Sequence, residues 1–247
     1  MSGHSRWAGI KHKKAAQDAK KGKIFSKLVR EITVATKEGG PDPEKNPKLR
    51  IVIQKAKQYN MPQENIKKAI ERSIKTQESY ETVHYEGYGP GGVAVVVRAQ
   101  TDNRNRTTQE IRRIFSKHGG NLGEVGCVGW MFKKKGFILV DKSIGEEKLM
   151  ELIFETKVED MKESEEGFEI TTDAQNFEEV HEFLKSKNVP VKNAEITNIP
   201  QTYIKLEGDD ARKMLALMDD LENHDDVTET SANFDIPEEI MKKFENG

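Results

Sequence analysis

Cysteine is nearly missing from this chain. Cys127 stands alone among 247 residues, so no intramolecular disulfide can form, and the chain suits a reducing cytoplasm. Long apolar runs are missing too: no stretch approaches the ~18 residues that a bilayer-spanning helix needs. The N-terminus lacks the apolar core of a secretion signal, although its basic, acid-poor character distantly resembles an organelle transit peptide. The expected location is the cytoplasm, away from membranes. Catalytic signatures are also absent, with no H-E-x-x-H, no G-x-S-x-G and no P-loop. The six histidines are scattered, and none pairs with a cysteine at metal-ligand spacing. Cys127 lies in an apolar run, where a buried, inert thiol is expected. The doublets Asp209-Asp210, Asp219-Asp220 and Asp225-Asp226 could gather a divalent cation, but capping and solvating a helix over 209–221 is the simpler role. A binding protein is expected rather than an enzyme, with no cofactor and no metal site.

Acid is what the first thirty residues lack. From Met1 to Arg30 there are nine lysines and arginines: Arg6, Lys11, Lys13, Lys14, Lys20, Lys21, Lys23, Lys27 and Arg30. Against them stands one acid, Asp18, a net of +8 before His4 and His12 are considered. Large apolar residues are also scarce before Ile24, so the arm cannot repay the entropy of ordering itself until it meets a partner. The natural partner is a polyanion, because each neutralised phosphate releases a counterion. The plainer alternative is a solubilising tail. The whole-chain charge of −2 hides this end. Residues 1–76 carry +12, residues 77–140 carry +3 and residues 141–247 carry −17, so the two ends have different tasks.

Periodicity supplies the architecture. Ile24, Phe25, Leu28, Val29 and Ile32 form a helical stripe that Gly39-Gly40-Pro41 ends. Leu49, Val52, Ile53 and Ala56 mark a second helix, and Ile66, Ala69, Ile70 and Ile74 a third, which Pro62 opens. Strands follow at 83–88 and 93–97, joined through Gly89-Pro90-Gly91-Gly92, which reads as a plain turn rather than a phosphate loop. Asp102 or Asn103 caps a helix running to Gly119-Gly120. Arg104 and Arg106 sit at its start, against the positive end of its dipole. Either an external anion or neighbouring carboxylates and carbonyls would relieve that conflict. A strand at 127–132 is followed by Lys133-Lys134-Lys135 as a domain junction. Residues 136–199 then read β-α-β-β-α-β, the split unit of a ferredoxin-like sandwich. After Pro200 come a strand (203–206), a helix (209–221) and a strand (227–234), which complete a second such unit with strand 93–100, helix 103–118 and strand 127–132. The fold expected is α+β: an N-terminal three-helix domain, then two ferredoxin-like α/β sandwich domains, one inserted in the other. The boundaries are 1–76 for the arm and helices, 77–133 plus 200–247 for the discontinuous middle domain, and 134–199 for the insert.

Five stretches also resemble the successive motifs of one family. SGHSRWAGIKHKKAAQDAKKGKIFSKLVREI, GGPDPEKNPKLRIVIQKAKQYNMPQENIKKAI, YEGYGPGGVAVVV, TDNRNRT and GGNLGEVGCVGWMF look like those of the YebC/PmpR family, over essentially the whole chain. The resemblance implies three domains and no enzymatic activity. It implies one of two functions: a DNA-binding transcriptional regulator, or a translational activator that acts at the ribosome and helps synthesis through proline runs. Matching the motifs marks the arm from Ser2 to Arg30 and the TDNRNR loop as contact surfaces. The candidate nucleic-acid contacts are therefore Arg6, Lys11, His12, Lys13, Lys14, Lys20, Lys21, Lys23, Lys27, Arg30, Arg104 and Arg106. Two residues depart from the pattern: Arg98, where a Glu is expected, and Ser73, where Gly is usual. A nucleic-acid-binding regulator is expected first, on DNA or ribosomal RNA; the alternative from another class is an adaptor whose acidic half recruits a basic protein.

Overall fold

Asn46 closes the N-terminal helices. It caps α2 (Pro47–Gln58) by accepting the Leu49 N–H at 3.1 Å. Its amide donates to the carbonyls of Ala35 at 2.8 Å and Gly40 at 2.7 Å, the end of α1 (Asp18–Gly39). Gly40 takes φ 88, the left-handed geometry in which helices stop. With α3 (Gln63–Lys75), these helices enclose Leu28, Ile32, Leu49, Ala56, Met61, Ile66 and Ala69. The computed structural model describes residues 18–76 and 79–245.

The chain continues through β1 (Glu81–Tyr88), β2 (Ala94–Thr101), α4 (Arg104–Lys117), β3 (Asn121–Leu122) and β4 (Phe132–Val140). Next come α5 (Glu146–Ile153), β5 (Val158–Glu163), β6 (Phe168–Asp173), α6 (Phe177–Ser186) and β7 (Val191–Pro200). It finishes with β8 (Ile204–Lys205), α7 (Gly208–Asn223), β9 (Val227–Ala232), β10 (Phe234–Asp235) and α8 (Glu238–Glu245). Two antiparallel four-stranded sheets result, ordered β3-β1-β2-β9 and β5-β6-β4-β7. The first is packed by α4 and α7 around Val95, Val97, Ile111, Phe115, Met214 and Leu215. The second is packed by α5 and α6 around Ile138, Val140, Leu149, Phe168, Ile170 and Leu184. The fold is thus α+β, with N-terminal helices followed by two such sheets. β2 pairs with β9 although β4 to β7 lie between them in sequence. That intervening run leaves and returns at one place, where Phe132 faces Pro200 and the Gln201 N–H donates to the Met131 carbonyl at 2.9 Å.

Three local expectations are corrected. Residues 127–132 do not form a strand. A 3-10 turn spans Gly129–Met131, and the sheet edge is taken by Asn121–Leu122. The reason is Glu86, whose buried carboxylate accepts the N–H groups of Val128 at 2.8 Å and Gly129 at 2.6 Å, removing them from any ladder. Burial pushes the Glu86 carboxyl up, but those N–H groups and that of Gly126 hold it below the usual carboxylate range. Cys127 accordingly lies half-buried in this turn, its thiol pushed up by burial and by the Glu86 charge. Second, Lys133-Lys134-Lys135 does not separate two strands, because it lies within β4. Third, the 203–206 strand does not join the first sheet. Ile204–Lys205 pairs in parallel with Phe234–Asp235 on a separate ribbon. The position expected for it is filled by β1. The Gly89–Val93 turn, with Gly91 at φ 67, folds all eight residues of β1 onto β2 from Tyr88–Ala94 to Glu81–Thr101. No described helix is long and apolar enough to cross a membrane.

Candidate nucleic-acid interface

Lys23, Lys27 and Arg30 recur at helical spacing on α1, and they turn toward the protein. Lys27 donates to the carbonyl of Glu222, and Lys23 to that of Asn223 at 3.4 Å. These are last-turn carbonyls of α7, which lack intrahelical partners and carry the negative end of the dipole. The last turn of α7 has no basic residue of its own, so α1 supplies the cations that α7 lacks. Arg30 reaches furthest. It donates to the Asp226 carboxylate at 2.8 Å and to the carbonyls of Asp225 at 2.9 Å and Gln100 at 3.1 Å, and its guanidinium lies 5.1 Å from the Tyr80 ring centre.

The TDNRNR loop meets the same carboxylate. Asn103 caps α4 by accepting the Arg106 N–H at 3.1 Å. The Arg106 guanidinium donates to Asp102 at 2.9 Å and Asp226 at 3.0 Å. Thr107 donates its hydroxyl to Asp226 at 2.6 Å. Asp226 is only 4% exposed. Burial pushes its carboxyl up, but Thr107, Arg106 and the charge of Arg30 together hold it below the usual range. Of the two routes open to arginines at this helix start, Arg106 takes the neighbouring carboxylates. Arg104 is exposed at the first residue of α4, and no ion pair reaches it among the described residues.

Arg6, Lys11, His12, Lys13 and Lys14 lie outside the described residues, as do the side chains of Lys20 and Lys21. Among the described residues, further exposed cations without an ion pair include Arg112 and Arg113 on α4 and Lys57, Lys67 and Lys75 on α2 and α3. None was singled out from sequence. Their signal was available in the helical stripes, because they fall outside the apolar positions Ile111 and Phe115, Leu49 and Ala56, and Ile66 and Ala69.

Arg98 joins the three parts of the molecule. It pairs with Glu229 at 3.0 Å and approaches Glu31 at 4.0 Å; Glu31 holds Lys55 at 2.7 Å, and Glu229 accepts from Thr197 at 3.4 Å. Its charge is thus matched within the fold. The acidic doublets are also engaged: Asp209 pairs with Lys213 at 2.7 Å, and Asp220 with Lys117 and His118, each at 2.7 Å. No side chain caps α7. Glu110, His224 and Asp226 bring three potential ligand atoms within 4.8 Å. They are occupied by one another and by the arginines: the Asp226 N–H donates to His224 Nδ1 at 3.1 Å, and His224 Nε2 lies 2.9 Å from Glu110.

Comparison with known proteins adds kinship to this geometry. Residues 5–76 match the family model described as the TACO1/YebC protein N-terminal domain, and residues 80–234 the one described as the TACO1/YebC second and third domain. A protein of Dictyoglomus turgidum named "Probable transcriptional regulatory protein" is 53% identical over 250 residues, covering 99% of this chain and 100% of that one. A protein of the same name from Endomicrobium trichonymphae is 54% identical over 249 residues, covering 99% of each. The crystal structure of a conserved hypothetical protein from Aquifex aeolicus superposes with a TM-score of 0.82 at 49% identity, covering 91% of this chain and 94% of that one. Matched from residue 5 to residue 234 and alike in fold, the chain belongs to the YebC family.

Proposed function

We propose that this chain is a nucleic-acid-binding regulator of gene expression, anchored by its basic N-terminal arm. The observation that carries this is the charge of the first thirty residues, nine cations against one acid. Arg6, Lys11, His12, Lys13, Lys14, Lys20 and Lys21 supply the phosphate contacts, with Arg104 as a further contact on the body. Lys23, Lys27, Arg30 and Arg106 join the arm to the body through the corner of α7 and Asp226, so that force on the arm is transmitted to the folded part. The work divides among a domain at 1–76 that holds the polyanion, a middle domain at 77–133 plus 200–247, and an insert at 134–199 that keeps its acidic surface clear of phosphate. The relatives' name supports a regulator of transcription, and we infer further that it acts on DNA in the cytoplasm. No catalysis enters this function.

A second reading, a translation factor on ribosomal RNA, is favoured by the exposed Trp130, since an aromatic ring recognises unpaired bases rather than a closed duplex. The test common to both is affinity of the full chain for duplex DNA and for structured RNA across a salt series. Replacing Lys11, Lys13, Lys14, Lys20 and Lys21 with Glu removes five phosphate contacts, and the steepness of log K against log salt should fall by about 4.5 on duplex DNA. Unchanged affinity and slope would remove the arm as the anchor.

A further inference from the structure

We infer that the turn carrying Trp130 is a stacking site for an unpaired base of the nucleic acid that the arm holds. This inference rests on the proposed binding of nucleic acid. Trp130 is 71% exposed and Val125 in the same loop 73%, while Tyr88 on the adjoining strand end is 38% exposed. Phe154, Ile74 and Met150 are exposed as well; what sets Trp130 apart is a large flat ring grouped with a second exposed aromatic, Tyr88, at one carbonyl.

The polar edges of this patch are turned inward. The Trp130 indole N–H donates to the Cys127 carbonyl at 3.2 Å, and the Tyr88 hydroxyl points to the same oxygen at 3.4 Å. What the indole offers outward is ring surface, whose favourable partners are another flat π-system or a cation.

The platform is also rigid. Glu86 holds the N–H groups of Val128 and Gly129, and its own carbonyl accepts the Gly123 N–H at 2.8 Å. A Cβ on Gly123 would lie 2.7 Å from the Cys127 sulfur, and one on Gly129 2.8 Å from the Glu86 carboxylate, so the loop packs at a density only glycine allows. Val128 is buried beneath with Ala94 and Phe132. Little conformational freedom remains to be lost on binding.

Nearby charge favours a nucleotide, with two lysines against the exposed Glu124. Lys133 and Lys134 follow within four residues of Trp130, both exposed and without an ion pair among the described residues. A protein partner would need an apolar area far larger than one indole and a valine, since stable interfaces bury about 1,200 Å² or more. A nucleotide needs one ring and a nearby cation. Paired bases hide their faces in the stack, so the base must come from a single strand, a loop or a bulge.

The test uses the full chain with three probes: a single-stranded RNA 20-mer, the same RNA as a closed duplex, and duplex DNA. Trp130→Ala should weaken the single strand about ten- to a hundredfold while leaving both duplexes and the salt slopes unchanged. Trp130→Phe should restore most of the loss. In a Trp7→Phe background, Trp130 fluorescence should be quenched on titration with single strand and not with duplex. Equal single-strand affinity for Trp130→Ala and parent, with binding still lost in the five-fold lysine variant, would overturn the stacking site and leave the arm in place. A parent chain that binds none of the three probes would overturn both.

Discussion

Arg30 and Asp226 meet at 2.8 Å although 196 residues separate them in the chain. Arg106 binds the other oxygen of the same carboxylate, so one buried acid clamps the N-terminal helices, the start of α4 and the turn after α7. Removing the acid leaves the largely buried Arg30 guanidinium without a carboxylate and facing that of Arg106, which keeps only Asp102. Asp226→Ala should therefore destabilise the protein by about 3 kcal/mol. Arg30→Ala should cost less, about 1.5 kcal/mol, because Arg106 and Thr107 still satisfy the carboxylate. Urea unfolding of the two variants beside the parent checks the order.

Acid should act through the same groups. Asp226, Asp220 and Glu86 all have folded-state values held below those of free carboxylates. A depressed folded value means that the unfolded chain takes up protons first. The stability these groups contribute is thus complete above the ordinary carboxylate range, about pH 4, and is lost as pH falls from there toward their folded values. Urea midpoints should fall as the pH drops below about 5. Glu86→Gln should start less stable and lose less on acidification, with Trp130 fluorescence in the Trp7→Phe background reporting the freed loop.

Two glycines should respond to alanine in opposite directions. Gly87 lies where β1 meets β3, and an added Cβ would stand 2.5 Å from the Asn121 carbonyl oxygen and 2.9 Å from the Phe115 ring. The backbone there cannot yield cheaply, so Gly87→Ala should cost about 1–3 kcal/mol. Gly22 sits inside α1 with nothing within 4 Å of its added Cβ. Gly22→Ala should stabilise by about 0.5–1 kcal/mol. Thermal melts of both variants give the signs directly.

Much of this molecule was legible in its sequence. The three N-terminal helices are written in apolar stripes that end at Gly39-Gly40 and before Pro62, and local signals of that kind need no knowledge of the rest of the chain. The same holds for β4 to β7, whose strands and helices alternate in order. What was not legible depends on partners distant in sequence. Val128 and Gly129 belong to an apolar run that reads as a strand until Glu86, 42 residues earlier, takes their N–H groups. The lysines of β4 read as a break because solvated strand residues lack an apolar stripe. At the candidate interface, basic character was plain, but its division was not. Lys23, Lys27 and Arg30 read as an outward face, whereas the last turn of α7 and Asp226 draw them inward.

The measurement closest to the central claim is crosslinking in cells, followed by sequencing of whatever nucleic acid stays attached to the full chain. Discrete, reproducible DNA or RNA fragments should be recovered with the parent and lost when Lys11, Lys13, Lys14, Lys20 and Lys21 are replaced by Glu. Promoter fragments would identify transcription as the level of control, and ribosomal RNA clustered at one functional centre would identify translation. Recovery of no nucleic acid, with a protein partner that stays bound through the acidic half after nuclease treatment, would contradict the central claim.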